Sequence, residues 1–252
     1  MNIRLDNVSF AYSEARPILH GIDFAVDEGE FVLMAGPNGA GKSTILKLLN
    51  GILKPRSGTV TVDSLDTLQT STTTLASHIA VTFQNPSDQI FASTVRRELL
   101  FGPRILKRRH PETLVDRSID LFQFQEWSAK HPYDLSTSQR KLLTIASAVA
   151  TDAPILAFDE PTASLSQPER EILRAALTVL RRERRTILVV SHDLDFFIPR
   201  TTRLILLNEG RIVHVGIPSD INEKRGIVRR AAMSLPLAIR LQRLARTVEF
   251  HQ

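Results

Sequence analysis

Gly36-Pro37-Asn38-Gly39-Ala40-Gly41-Lys42-Ser43-Thr44 carries the plainest chemistry in the chain. The run fits G-x-x-x-x-G-K-[ST], a loop whose backbone N–H groups wrap the phosphates of a nucleotide, with a lysine inside it and a hydroxyl beside the metal. Residues 31–35 (FVLMA) lead in as an apolar strand, and 44–49 (TILKLL) lead out as a helix whose N-terminus faces the phosphates. A glycine-rich turn without this function would need neither the full spacing nor both flanks. The chain is expected to bind a nucleoside triphosphate.

A phosphate loop alone does not separate a kinase, a GTPase and a transport ATPase; the other polar residues at strand ends do. After the strand Ile155–Phe158 come Asp159 and Glu160, ahead of Pro161. A carboxylate there can serve Mg²⁺ together with Ser43, and Glu160 is placed to polarise an attacking water. An isolated Asp-Glu-Pro is often just a turn, so the weight lies in its pairing with the loop. His192, in Ser191-His192-Asp193, ends the next buried strand and is thereby aimed at the same crevice, where it could hold the γ-phosphate and water in line. A lone histidine is more often an ordinary core or surface residue. Gln84 ends the strand 79–83 and can reach the metal or the water, or serve only as a turn. Tyr12, at the end of the first strand, could stack on an adenine base or be a half-buried edge-strand tyrosine.

The elements that position these groups read as α/β. Residues 3–12 and 59–63 alternate as short strands, 79–83 is a buried strand, and 85–150 turns helical, ending in a helix over 139–150. An amphipathic helix from Glu169 to Arg185 is introduced by Ser166-x-x-Glu169, a capping box, with Pro168 in its first turn. Residues 186–190 form another buried strand, and 204–215 a hairpin turning at Asn208-Glu209-Gly210. Strands alternating with helices favour a mostly parallel sheet covered on both faces. No repeat or low-complexity tract interrupts the 252 residues, which suit one large domain.

Composition removes other classes. With no cysteine, disulfides, thiolate metal sites and cysteine nucleophiles are excluded. The start, MNIRLDNVSFAY, lacks the apolar core of a signal peptide. The longest apolar stretch, 142–158, is broken by Asp152 and Pro154 and is too short and polar to cross a bilayer. The net charge of +5 is spread over 107–109, 181–185 and 229–230 without interleaved aromatics. These clusters read as solvated helix ends first, membrane-surface proximity second, and nucleic-acid contact third, so no nucleic acid is expected.

The order Tyr12, 36–44, Gln84, Leu135-Ser136-Thr137-Ser138-Gln139, Asp159-Glu160, His192 resembles the nucleotide-binding subunit of ABC transporters over about 1–222. The resemblance implies a P-loop NTPase core with an antiparallel β subdomain and a helical insertion at about 85–150, together forming an ATPase domain over 1–223. It implies an ATPase that dimerises head to tail, each ATP lying between one subunit's phosphate loop and the other's LSGGQ-type segment. Tyr12 would then stack on adenine, with Gly36, Pro37, Asn38, Gly39, Ala40, Gly41, Lys42, Ser43 and Thr44 around the phosphates. Ser43, Gln84 and Asp159 would serve Mg²⁺, Glu160 would be the general base, and His192 the γ-phosphate contact. Ser136, Thr137, Ser138 and Gln139 would face the nucleotide held by the other subunit.

Residues 83–92 (FQNPSDQIFA), with Thr94-Val95 and Phe101-Gly102-Pro103, look like the energy-coupling-factor branch, which imports vitamins and transition-metal ions. The tail Leu235–Leu241, within a basic segment over 224–252, is similar to that branch's C-terminal dimerisation element. The resemblance implies an integral membrane transporter subunit, a second ATPase subunit, a substrate-binding membrane component, and a peripheral place on the cytoplasmic face of the membrane. Segment 85–103 is expected to meet the membrane partner through Ile90, Phe91 and Val95, unless these pack the core of the insertion. Two departures fall on the partner-facing surface: Thr137 and Ser138 stand where the family has two glycines, and Ser166 where it usually has an aspartate. They keep open a nucleotide-gated, weakly hydrolysing subunit. A DNA-repair or chromosome ATPase head would carry a long coiled-coil insertion that this chain lacks.

Overall fold

The architecture comes from a computed structural model that describes residues 2–14, 16–223 and 226. β1 (Ile3–Ser13), β2 (Arg16–Val26), β4 (Ser57–Val62) and the short β5 (Leu65–Asp66) form a four-stranded antiparallel sheet in the order β2-β1-β4-β5. Ile3, Leu5, Val8 and Phe10 of β1 and Leu19, Ile22, Phe24 and Val26 of β2 are buried along one face. β2 does not read as a strand from sequence because several bulges shift its register against β1, and each bulge breaks the two-residue period.

The second sheet has six strands, in the order β10-β9-β3-β8-β7-β6. β3 (Phe31–Ala35), β6 (Ile79–Thr82), β7 (Ile155–Asp159), β8 (Thr186–Val190) and β9 (Arg203–Asn208) run parallel, and β10 (Arg211–Gly216) closes the edge antiparallel. Every residue of β3, β7 and β8 is buried, as expected of parallel strands covered on both faces. The β9–β10 turn has φ of 46° at Glu209 and 67° at Gly210, the two positive values that a tight hairpin needs.

The helices are α1 (Lys42–Leu49), α2 (Thr72–Ala76), α3 (Val95–Ile105), α4 (Pro111–Phe122), α5 (Thr137–Ala150), α6 (Gln167–Arg182), α7 (Leu194–Phe197) and α8 (Asp220–Glu223). Alternate residues of β3 separate two cores. Phe31, Leu33 and Ala35 pack with α3, α4, α5 and α6, whereas Val32 and Met34 pack with α1 and the antiparallel sheet. The helical insertion between β6 and β7 is as the sequence predicts. α5 begins two residues early because Ser136 and Gln139 form a capping box: the Ser136 hydroxyl accepts from the Gln139 N–H at 3.1 Å, and the Gln139 side chain accepts from the Ser136 N–H at 2.9 Å. At α6 the box read from sequence does not form. Ser166 sits at the cap, but its hydroxyl donates to Glu169 instead of accepting from the backbone.

Among the described residues no helix is long and apolar enough to cross a membrane. Apart from Gly226, the basic segment over 224–252 and its dimerisation element lie outside the described residues.

Candidate functional site

The phosphate loop is shaped by what its glycines cannot tolerate. A Cβ on Gly36 would come within 2.0 Å of the Leu207 carbonyl oxygen, so β3 and β9 can pass this closely only without one. Gly41, at φ 102°, caps α1 in a conformation that other residues rarely adopt. Lys42 opens the helix, and its Nζ donates to the carbonyls of Gly36 and Pro37, both at 2.8 Å, which holds the ammonium inside the loop. Burial lowers the lysine's pKa, while the charges of Glu160 and Asp159 pull it back up.

A cleft of about 420 Å³ opens over this loop. Tyr12, Asn38, Gly39, Gly41, Lys42, Ser43, Thr44, Gln84, Asp159, Glu160 and His192 all line it, as the sequence reading requires. Gly36, Pro37 and Ala40 belong to the loop but do not line the cleft. Tyr12 is half exposed, packs edge-on against Phe10 with ring centroids 5.0 Å apart, and lies 3.4 Å from the Thr44 hydroxyl. Residues 136–139 do not line this cleft.

Asp159 ends β7 almost fully buried. Burial raises its carboxyl pKa and Glu160 adds to that, while a hydrogen bond from Ser43 and the charges of Lys141 and Lys42 oppose it. A carboxylate already meeting a hydroxyl, beside a glutamine side chain, is a set of hard oxygen donors that suits Mg²⁺ shared with phosphates better than a dedicated cage. Consistently, the described residues contain no cluster of three His, Cys, Asp or Glu that could hold an ion alone.

Glu160 is fixed on every side. Its backbone has φ 46°, uncommon for a glutamate, and its N–H donates to the Val190 carbonyl at 2.8 Å. One carboxylate oxygen accepts from the Ser191 hydroxyl at 3.0 Å, and the other lies 3.0 Å from His192 Nδ1. Strain and convergent hydrogen bonds of this kind concentrate at functional positions. The His192 side chain is 70% exposed and faces the cleft.

Four neighbours escaped the sequence reading. Arg16 and Ile18 line the cleft from β2, the strand that was not legible. Ser191 precedes the histidine and gave no signal of its own. Lys141 lies on α5 in an apolar stretch and is 1% exposed, where a lysine is seldom found. Its Nζ donates to the carbonyls of Phe83 and Gln84 at 3.0 Å and of Asp159 at 3.2 Å, tying together the ends of β6 and β7.

The loop after Gln84 leads to a second feature, an apolar groove of about 360 Å³ lined by Ile52, Phe91, Phe101 and Ile105 among others. Of the three residues expected to form a contact patch, Ile90 and Val95 are core. Both belong to the core cluster that includes the helices of the insertion, and only Phe91 is open, at 62% exposure. Its ring meets that of Phe101 edge to face at 4.5 Å. The loop is held out by Glu98, which accepts from the N–H groups of Phe91 at 3.1 Å and Ala92 at 2.9 Å.

Comparison with known proteins agrees with this geometry. A profile of the family described as ABC transporter matches residues 19–163. The energy-coupling factor transporter ATP-binding protein EcfA of Methanothermobacter thermautotrophicus is 34% identical over 93% of this chain and 76% of its own length. EcfA1 of Mycoplasma pneumoniae is 31% identical over 93% of this chain and 85% of its own. Among solved structures, CbiO1 from Clostridium perfringens, part of the ABC transporter complex CbiONQ, superposes with a TM-score of 0.78 at 28% identity, covering 96% of this chain and 98% of that one. The dimeric ATP-binding cassette MJ0796, bound to ADP and Pi after hydrolysis, gives 0.78 at 25% identity over 86% and 98% of the two chains. The chain belongs to the ABC transporter family as an ATP-binding subunit of the energy-coupling-factor type, with the ABC ATPase fold, and is an ATP-hydrolysing transport ATPase.

Lys141 yields a test of the site's electrostatics. Replacing it by methionine removes the donor from the Asp159 and Gln84 carbonyls, while Phe83 keeps its bond from Gln89 Nε2, and should destabilise the chain by about 1–3 kcal/mol. Burial lowers its pKa from 10.5 to about 8, so between those values the unfolded chain binds more protons than the folded one. Wild-type stability should therefore rise relative to Lys141→Met as pH increases through that window, and the gap in urea-unfolding free energy should widen. A gap that stays flat or narrows contradicts this account.

Proposed function

We propose that this subunit hydrolyses MgATP with Glu160 as general base and thereby powers the import of a vitamin or transition-metal ion by an energy-coupling-factor complex. The observation that carries the catalytic part is the clamp on Glu160: both oxygens engaged, beside the buried Asp159–Ser43 pair and across from Lys42. Tyr12 supports the adenine. The N–H groups of the loop and the Lys42 ammonium bind the β- and γ-phosphates. Ser43, Asp159 and Gln84 would hold Mg²⁺, which supplies charge neutralisation on the phosphate oxygens. Glu160 accepts a proton from the attacking water, while Ser191 and His192 fix which lone pair points into the cleft. His192, exposed toward the cleft, presents its other nitrogen to the space the γ-phosphate would fill.

The proposed partners follow from the same surfaces. A membrane transporter subunit would seat an apolar segment in the groove beside Phe91, whose loop starts at Gln84 and so follows the state of the phosphate. A second ATPase subunit would face residues 136–139, and a substrate-binding membrane component would complete the complex on the cytoplasmic face of the membrane. Domain assignment follows: 1–223 as the ATPase unit and 224–252 as a possible pairing element. Because Thr137 is β-branched where a glycine would admit a phosphate closely, the composite site using this chain's LSTSQ should be the weaker one. A heterodimer with a subunit whose signature keeps its glycines resolves that asymmetry.

Three substitutions, read in the purified transporter and in the isolated chain, test the proposal. Glu160→Gln should keep ATP binding and lower turnover about 10²-fold or more, as removal of a positioned general base does, whereas Lys42→Ala should weaken ATP binding itself. A nearly silent Glu160→Gln, with the equivalent change in the partner abolishing turnover, would place the active site in the other subunit. Phe91→Asp should prevent assembly with the membrane subunit, read by co-purification, while the isolated chain still binds ATP. Intact assembly and transport would remove the docking surface.

A further inference from the structure

Two of the three residues that depart from the family pattern, Ser138 at the start of α5 and Ser166 at the start of α6, touch each other. The Ser166 N–H donates to Ser138 Oγ at 2.8 Å, and the Ser138 hydroxyl donates onward to Glu169 Oε2, also at 2.8 Å. The Ser166 hydroxyl donates to the same carboxylate oxygen. Ser138 Oγ therefore accepts one hydrogen bond and gives one, which fixes its side chain toward α6.

Each substitution makes sense only beside the other. Glycine at 138 would supply neither an acceptor for the Ser166 N–H nor a donor for Glu169. Aspartate at 166 would set a second carboxylate against Glu169, a like-charge pair. Burial alone would raise the Glu169 carboxyl, yet the hydrogen bonds from Ser166 and Ser138 hold it below its ordinary value. The cluster thus binds its acid in the charged form.

From Ser166 the connection runs back to Glu160 through a closely bonded segment. The Leu165 N–H donates to the Thr162 carbonyl at 3.2 Å, and the Ala163 N–H to the Glu160 carbonyl at 3.1 Å. Leu165 also packs on the core beneath. We propose that Ser138, Ser166 and Glu169 form a latch that joins the first turn of α5 to segment 161–166 and so sets the backbone from which Glu160 projects. The three are positioning residues, and the inference rests on the reading of Glu160 as general base. By this account Ser138 is a compensated replacement, and Thr137 is the substitution that weakens the signature.

The test uses the full chain assembled with its ATPase partner. Ser138→Ala and Glu169→Ala should each speed amide exchange across 163–166 about tenfold while leaving α1 unchanged. They should lower kcat for ATP about threefold or more with KM within about twofold, as loss of an interaction made only in the transition state does. Glu169→Gln keeps an acceptor for both hydroxyls and should restore most of kcat. The pair Ser138→Gly with Ser166→Asp should be less impaired than Ser166→Asp alone, since coupled neighbours are not additive. Unchanged exchange at 163–166 in Ser138→Ala would overturn the latch. So would KM shifting together with kcat, or Glu169→Gln failing as badly as Glu169→Ala. The exchange result stands whatever Glu160 does; if Glu160→Gln alone proved silent, the general-base reading would fall and not the latch.

Discussion

One buried ammonium holds the catalytic end of this protein together. Lys141 reaches from α5 to three backbone carbonyls, those of Phe83, Gln84 and Asp159, where two neighbouring parallel strands end. Strand ends in an α/β sheet are where ligands bind, and they are also where the backbone runs out of ladder partners. A single cation with three donors solves both problems. It supplies the buried Asp159 carbonyl with a donor, joins Gln89 Nε2 on the Phe83 carbonyl, and fixes the spacing between the Gln84 loop and Asp159. Because Lys141 belongs to the same helix as Thr137–Gln139, the helical insertion is bolted to the backbone of Asp159 by a charge-assisted contact and not by apolar packing alone.

The rest of the site is arranged around that bolt. Asp159 is buried, and Glu160, one residue later, turns through a left-handed conformation that directs its carboxylate to Ser191 and His192, which directly follow β8. Two adjacent acids, both almost fully buried, thus occupy different environments: one paired with Ser43, the other clamped by Ser191 and His192 at the edge of an open cleft. Such division of environment lets neighbouring carboxylates take separate roles. The loop that begins at Gln84 carries the arrangement outward to Phe91, with Glu98 gripping the loop's N–H groups. The nucleotide cleft and the apolar groove are therefore two ends of one short chain of contacts.

Much of this was legible in the sequence, because chemistry that depends on fixed spacing leaves a local trace. Residues 36–44, Asp159-Glu160 and His192 announced the cleft, and the apolar runs of β3, β7 and β8 announced a doubly covered sheet. What stayed hidden was whatever depends on distant segments meeting. β2 was invisible because bulges erase its alternation, and with it went Arg16 and Ile18. Lys141 was hidden because nothing in an apolar helix tells a buried lysine from a snorkelling one. Ser166 looked like half of a capping box, and its hydrogen-bond partner on another helix, Ser138, could not be foreseen from spacing. Ile90 and Val95 were misplaced for the same reason, since periodicity shows which residues are apolar but not which neighbour covers them.

The alternation along β3 has a further consequence. Odd positions (31, 33, 35) face the helices of the insertion, and even positions (32, 34) face α1 and the antiparallel sheet. The central sheet is a party wall between two rooms, one behind the phosphate loop and the other filled by α3, α4, α5 and α6. A change of volume in a β3 residue is thereby sorted by parity: an enlarged odd position strains the helical room, while the room behind the phosphate loop keeps its packing.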